Sequence, residues 1–198
     1  ETYNRDNVTL VDIRESGIEQ LTPNGLRAGG ENYMLDAIVC ATGFDAMTGS
    51  VTRIDITGRG GVSIKDKWRE GPKTFLGLTV SGFPNMFNIY GPGSPSVLAT
   101  AVTGIEQNVE WITACLSWMR KNGKIRIEAT PEAESDWSEQ VYEAGKGSLR
   151  TACDSWYVGS NVPGKMRVFM PYVGGFPKYV QICERVADGG YEGFTTAC

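Results

Sequence analysis

Histidine is missing altogether from this chain of 198 residues, which removes several chemistries at once. No Ser-His or Cys-His nucleophile system can be assembled, and no histidine can serve as general base. The five cysteines (Cys40, Cys115, Cys153, Cys183 and Cys198) are odd in number, scattered, and without CxxC spacing. With no histidine to join them, a metal site is not expected. Reduced thiols in a cytosolic protein are the plain reading, so the expected localisation is cytoplasmic. An excess of basic charge is lacking too: 19 Lys and Arg against 23 Asp and Glu leave a formal charge of -4. That is no electrostatic footprint for nucleic acid. No apolar run approaches the ~20 residues that cross a bilayer, and the first residues do not read as a signal peptide. Neither nucleic acid nor a membrane is an expected partner.

Glycine, by contrast, is abundant. The 25 glycines are nearly twice the ~7% of average chains, without repeats or low complexity. Close backbone approach to a ligand, or many special turns, would each account for them. The chain opens on ETYNRDN, with no initiator methionine, and leads into VTLVDI, which reads as a strand over Val8–Ile13. Pro23-Asn24-Gly25 signals a turn, with GLRA after it as a hairpin partner. Met34–Thr42 reads as a buried strand that stops on Thr42-Gly43, with Phe44 and Asp45 just beyond. By itself that stretch suits either a buried strand running into a turn or the end of a strand in a nucleotide-binding sheet.

The stretch ITGRGGVSIKDKW reads as an extended crossing segment, its GRGG as a turn. Met86–Tyr90 reads as a short strand that runs into Gly91-Pro92-Gly93. The clearest helix follows: Val102, Ile105, Val109, Ile112, Leu116 and Met119 recur at three and four residues, one apolar face of an amphipathic helix. Asn122-Gly123 stops it. KIRIEA reads as a strand, and PEAESDWSEQVYEA as a helix that starts at Pro131 with acids in its first turn. LRTACDSWYVGSNVPGK has no periodicity and reads as a long loop, a kind that is usually functional or mobile. VFMPY reads as a strand and FPKYVQICERVADGG as a last helix; YEGF ends the domain.

Strand, Gly-x-Gly, helix brings backbone close to a cofactor and aims a helix N-terminus at negative charge. GPGSPS has serine where the dinucleotide fingerprint needs a third small residue, and it lacks the acid about 20 residues on. It fails as that fingerprint. A loop over a flavin ring and a tight turn chosen for packing both remain open.

Taken in order, ETYNRDNVTLVD, DAIVCATGFDA, IDITGRGG, FPNMFNIYGPGSPS, IEQNVEW, SWYVGSNVPGK and FMPYVGG resemble the C-terminal part of the flavin-dependent Baeyer–Villiger monooxygenases of the cyclohexanone, phenylacetone and steroid type. The resemblance covers practically the whole chain. It implies an α/β fragment of a flavoprotein with two dinucleotide-binding domains. Residues 1–45 would end the NADPH-binding domain, 46–84 would connect the domains, and 85–198 would form the C-terminal part of the FAD-binding domain, with a mobile loop at about 148–165. The implied activity needs FAD and NADPH and inserts one atom of O2 beside a ketone carbonyl, through a C4a-peroxyflavin, to give an ester or lactone.

Residue roles follow from the same resemblance. Thr42, Gly43, Phe44 and Asp45 would lie where the two cofactors approach each other. Gly91, Gly93 and Ala101 would approach the flavin, and Trp156 would close over NADP. Ser96, Val97 and Leu98 would bulge into the substrate pocket. The family's two GxGxxG fingerprints, its FxGxxxHxxxWP signature and its peroxide-stabilising arginine have no counterpart here; Arg5 is not that arginine. No catalytic residue is therefore expected in this chain, and the missing N-terminal part of the same enzyme is the expected partner. Asn108 and Pro177 stand where relatives can have histidine, and both positions read as surface. A heteroatom-oxidising flavin monooxygenase, or a module that no longer catalyses, are the alternatives.

Overall fold

A computed structural model describes residues 1–96 and 99–198. The chain is α/β and divides into two compact units, Glu1–Thr42 and Gly43–Cys198.

The first unit is an antiparallel meander of β1 (Ile18–Thr22), β2 (Gly25–Ala28) and β3 (Glu31–Met34). Two-residue turns set its register. Pro23-Asn24 joins β1 to β2, where Thr22 pairs with Gly25. Gly29-Gly30 joins β2 to β3, both residues with positive φ, as the favoured hairpin turn demands. Gly25 is obligatory, since a Cβ there would sit 1.9 Å from the Tyr33 carbonyl oxygen. Glu19 crosses the sheet to Arg27 at 3.0 Å and accepts the Gly30 N–H at 2.7 Å.

Two strands expected here do not form. Val8–Ile13 is extended but unpaired, and after Met34 the chain leaves the sheet. Residues 37–45 carry no strand, with Val39 88% and Phe44 87% exposed. The run Ala37–Ala41 is apolar at every position, as in strands covered on both faces. Such a strand needs ladder neighbours, and among the described residues none pairs with it.

The second unit holds three long helices: α3 (Ala101–Lys121), α4 (Pro131–Gly145) and α6 (Phe176–Asp188). Single helical turns precede and separate them: α1 (Gly49–Thr52), α2 (Ile64–Lys67) and α5 (Leu149–Ala152). A two-stranded antiparallel sheet pairs β4 (Arg126–Ala129) with β5 (Phe194–Ala197), a partner that was not expected in the last residues. Thr130 caps α4 by accepting the Ala133 N–H, with Pro131 in the first turn. Asn122 and Gly123, the latter at φ +64°, end α3.

The main core packs Phe75, Leu76 and Leu78 against Trp111, Trp137, Tyr172 and Tyr179. A smaller one gathers Ile64, Trp68, Val80 and Phe83. Two buried carboxylates tie the segment between them in place. Glu128 accepts the Gly82 N–H and pairs with Arg59; Glu134 accepts the Ser81 N–H and pairs with Lys67 at 2.8 Å.

The helix at 101–121 is where the sequence places it, but of its expected apolar face only Met119 is buried and Ile112 partly so against the core. Gly104, Asn108, Trp111, Cys115 and Met119 face the core, whereas Val102, Ile105, Val109 and Leu116 are 39–61% exposed. Two further expected strands are absent. Met86–Tyr90 makes one bond of ladder type, Asn88 N–H to the Leu78 carbonyl. Val168–Tyr172 is extended between Tyr157-Val158 on one side and Gly93-Ser94 on the other, with only the Pro95–Tyr172 bridge regular. GRGG forms the expected turn, a 3₁₀ stretch with Gly60 at φ +70°.

Candidate functional site

Three stretches of the second unit carry the candidate residues: the turn at 43–46, the loop at 90–100, and the segment at 148–166. Thr42 belongs to the first unit and is exposed.

The turn begins at Gly43, whose φ of +82° suits a residue without Cβ. It leaves the Phe44 ring exposed. Asp45 is drawn inward, accepting from Lys165 Nζ at 2.5 Å and from Thr48 Oγ1 at 3.4 Å. Lys165 Nζ also reaches the Ala46 carbonyl at 3.3 Å, and Asn161 Nδ2 donates to the Phe44 carbonyl at 2.7 Å. The fold thus joins two motifs about 120 positions apart in the chain. Together they wall a cleft of about 260 Å³ that Trp68, Arg69 and Pro163 complete.

The loop is buried throughout 91–96, with Tyr90 half-buried at its start. Tyr90 takes a positive φ of +59°, an uncommon conformation for a bulky residue. Its N–H donates to Asn108 Oδ1 at 2.8 Å, and its ring covers Gly104, where a Cβ would come within 2.7 Å. Gly91 and Gly93 are both explained by close packing. A Cβ on Gly91 would lie 2.7 Å from the Gly77 carbonyl oxygen, and one on Gly93 would lie 2.9 Å from Thr74 and Trp137. The Pro92 carbonyl accepts from Thr74 Oγ1, and that of Gly93 from Trp137 Nε1. Ser96 Oγ is buried with no hydrogen-bond partner. Val97 and Leu98 lie outside the described residues. Beyond them Thr100 opens α3 without a side-chain cap, and Ala101 is exposed at its start.

The segment at 148–166 is less irregular than its sequence reads. It contains α5 and a 3₁₀ turn, Trp156–Val158. Trp156 is 37% exposed, its ring centroid 4.1 Å from that of Tyr157, so it lies at the surface rather than in the core. Ser155 Oγ is a second buried oxygen without a partner.

Asn108 is not a surface position. It is fully buried and donates to Tyr179 OH at 3.1 Å, and that hydroxyl in turn donates to the Leu76 carbonyl at 2.8 Å. Its amide therefore joins α3, α6 and the loop that shapes the site. Pro177, by contrast, is exposed in the first turn of α6. Burial pushes the Cys115 thiol up to about 11 and that of Cys183 to about 12, so both are held neutral and neither is poised as a nucleophile. Among the described residues no group of three His, Cys, Asp or Glu could hold a metal ion, and no helix is long and apolar enough to cross a membrane.

Sequence reasoning missed Lys165 and Asn161. They stand in the most specific motif, SNVPGK, yet nothing local in it points to a partner at 44–46. Asn108 was seen, but a polar residue on a helix carries no mark of its burial.

No family model matches the chain. It is 42% identical to the 2-oxo-Δ3-4,5,5-trimethylcyclopentenylacetyl-CoA monooxygenase of Pseudomonas putida, across 100% of this chain and 37% of that protein. It is 40% identical to a Baeyer–Villiger monooxygenase of Pseudooceanicola batsensis, across 96% and 35%. With the phenazine N-monooxygenase PhzNO1 of Lysobacter antibioticus it shares 38% identity, across 98% and 36%. Among solved structures, OTEMO in complex with FAD and NADP superimposes with a TM-score of 0.86 at 44% identity, over 99% of this chain and 36% of that one. The chain thus spans little more than a third of the length of the relatives it matches. By sequence and by fold it is similar, along its whole length, to the C-terminal part of Baeyer–Villiger monooxygenases.

Proposed function

We propose that this chain is part of an FAD- and NADPH-dependent enzyme that inserts one atom of O2 beside a ketone carbonyl, giving an ester or lactone. Ser96 carries the reading. Among the described residues its oxygen is buried without a partner, which costs about 1–3 kcal/mol unless a ligand supplies one. It lies just ahead of α3, whose 21 residues end in an uncapped N-terminus that favours negative charge. A polar orphan and a helix dipole in one loop fit an anionic or polar group such as a flavin.

When bound, FAD and NADPH would supply the electrons that activate dioxygen, and the inserted oxygen atom comes from O2. This chain's own residues bind, orient and exclude water. Gly91 and Gly93 shape the loop that faces the flavin, and Ala101 opens the helix beneath it. Thr42, Gly43, Phe44 and Asp45 form the turn near both cofactors. Trp156 covers NADP, keeping a water-sensitive reaction dry. Ser96, Val97 and Leu98 border the ketone and set its permitted size. The chain contributes no acid or base to the chemical steps.

The test is ketone-dependent NADPH consumption by the complete FAD-loaded enzyme of which this chain is a part, with the product analysed after turnover under 18O2. One labelled atom in an ester or lactone supports the reading. Absence of such a product across linear, cyclic and aryl ketones overturns it. The similarity to phenazine N-monooxygenase favours a second reading, oxidation at a ring nitrogen. An N-oxide formed in preference to any ester would establish that reading instead.

A further inference from the structure

The segment that carries Trp156 is tied at its start by backbone bonds, Met170 N–H to the Tyr157 carbonyl and Val168 N–H to the Val158 carbonyl, and at its far end by two side chains. Inside 155–165 the backbone bonds are local: Gly159 N–H to Trp156, Ser160 N–H to Ser155, Val162 N–H to Gly159, Lys165 N–H to Val162. Bonds of this kind give a segment shape but do not attach it to anything. Attachment at its far end comes from Asn161, on the Phe44 carbonyl, and from Lys165, on Asp45 and the Ala46 carbonyl. The Lys165–Asp45 pair is shielded, with side chains only 17% and 27% exposed, so it is weakened less by solvent than the exposed pairs Lys65–Asp55 and Lys146–Glu143. Lys165 also holds the segment to itself. Its stem lies against Gly159, where a Cβ would stand 3.2 Å from Cδ. A larger residue at 159 would push that stem aside.

We propose that Asn161 and Lys165 are positioning residues. They clamp the segment 155–165 onto the turn 44–46 and thereby set Trp156 for closure over the dinucleotide. Asp45 acts through Lys165 rather than by touching cofactor. The clamp stands on the geometry alone; its consequence for Trp156 rests on the NADPH reading above.

Hydrogen–deuterium exchange of residues 158–165 and equilibrium binding of NADP+ would be measured on the complete FAD-loaded enzyme that contains this chain. The variants are Lys165→Met, Lys165→Arg, Asn161→Ala and the charge swap Asp45→Lys with Lys165→Asp. Lys165→Met is expected to speed exchange in 158–165 about tenfold and to raise the Kd for NADP+ by a similar factor, as for loss of one charge-assisted hydrogen bond. FAD content should stay unchanged. Lys165→Arg should retain most of the protection, and the charge swap should recover much of it, which a purely steric role for Lys165 would not allow. Unchanged exchange in Lys165→Met, or no recovery in the swap, overturns the clamp. Faster exchange with an unaltered Kd for NADP+ overturns the link to Trp156 while leaving the clamp. If the unsubstituted protein does not bind NADP+, the functional reading fails and exchange alone still decides the clamp.

Discussion

At the scale of single residues, Asn108 shows how little polarity says about position. Its side chain satisfies the Tyr90 N–H and meets Tyr179 OH inside the core. Without it Tyr90, already at positive φ, would have a shielded backbone N–H and no acceptor. Asn108→Ala should lower stability by about 1–3 kcal/mol, read as a fall in denaturant midpoint. An unchanged midpoint would mean that water takes over its bonds. Trp156 is the opposite case, a large aromatic residue left at the surface by its 3₁₀ turn. Trp156→Ala should weaken NADP binding and slow oxygenation without changing FAD content or the melting temperature. Calorimetry with NADP+ and the flavin absorbance of the purified protein check both halves. Full activity in this variant would reduce Trp156 to surface packing.

At the scale of elements, α3 carries two apolar faces. One holds Trp111, Cys115 and Met119 in the core; the other exposes Val102, Ile105, Val109 and Leu116. The regular spacing of three and four belongs to the exposed face, while the buried face is interrupted by Gly104 and Asn108. Periodicity alone therefore selects a set that straddles the boundary, with Ile112 and Met119 on the core and the other four outside it. The expected outcome follows directly: replacing Val109 and Leu116 by Ser together should shift unfolding of the chain by no more than about 0.5 kcal/mol each. Trp111→Ala should cost about 3–5 kcal/mol, since it empties a core position. Chemical denaturation of both variants separates the faces. A large loss for the double Ser variant would show that the outer face is covered in solution.

For the molecule as a whole, one contrast dominates: the second unit has two cores and buried carboxylates that hold its connecting segments, whereas the first is a meander with a trailing apolar run. Neither unit contains a GxGxxG fingerprint, the loop by which such folds hold a pyrophosphate at a helix N-terminus. The 198-residue chain by itself is therefore expected neither to retain FAD nor to oxidise NADPH. A yellow purified product that consumes NADPH would contradict this, and flavin absorbance with a 340 nm assay decides it.

What the sequence determined by itself are the features written in neighbouring residues. The Pro23-Asn24 hairpin, the extent of α3 up to Asn122-Gly123, the start of α4 at Pro131 and the last helix all rest on local turn, cap and propensity chemistry. Whether a strand exists is not a local property, because a strand is stabilised by what lies beside it. Ala37–Ala41 has the composition of a sheet interior and no ladder, while Phe194–Ala197 has an unremarkable composition and pairs with β4. Likewise the site residues could be named from motifs, but not their partners. That Asp45 faces Lys165, and that the glycines of the 91–93 loop are held by Gly77, Thr74 and Trp137, depends on contacts between segments far apart in the chain. Only folding brings those groups within hydrogen-bonding and van der Waals range.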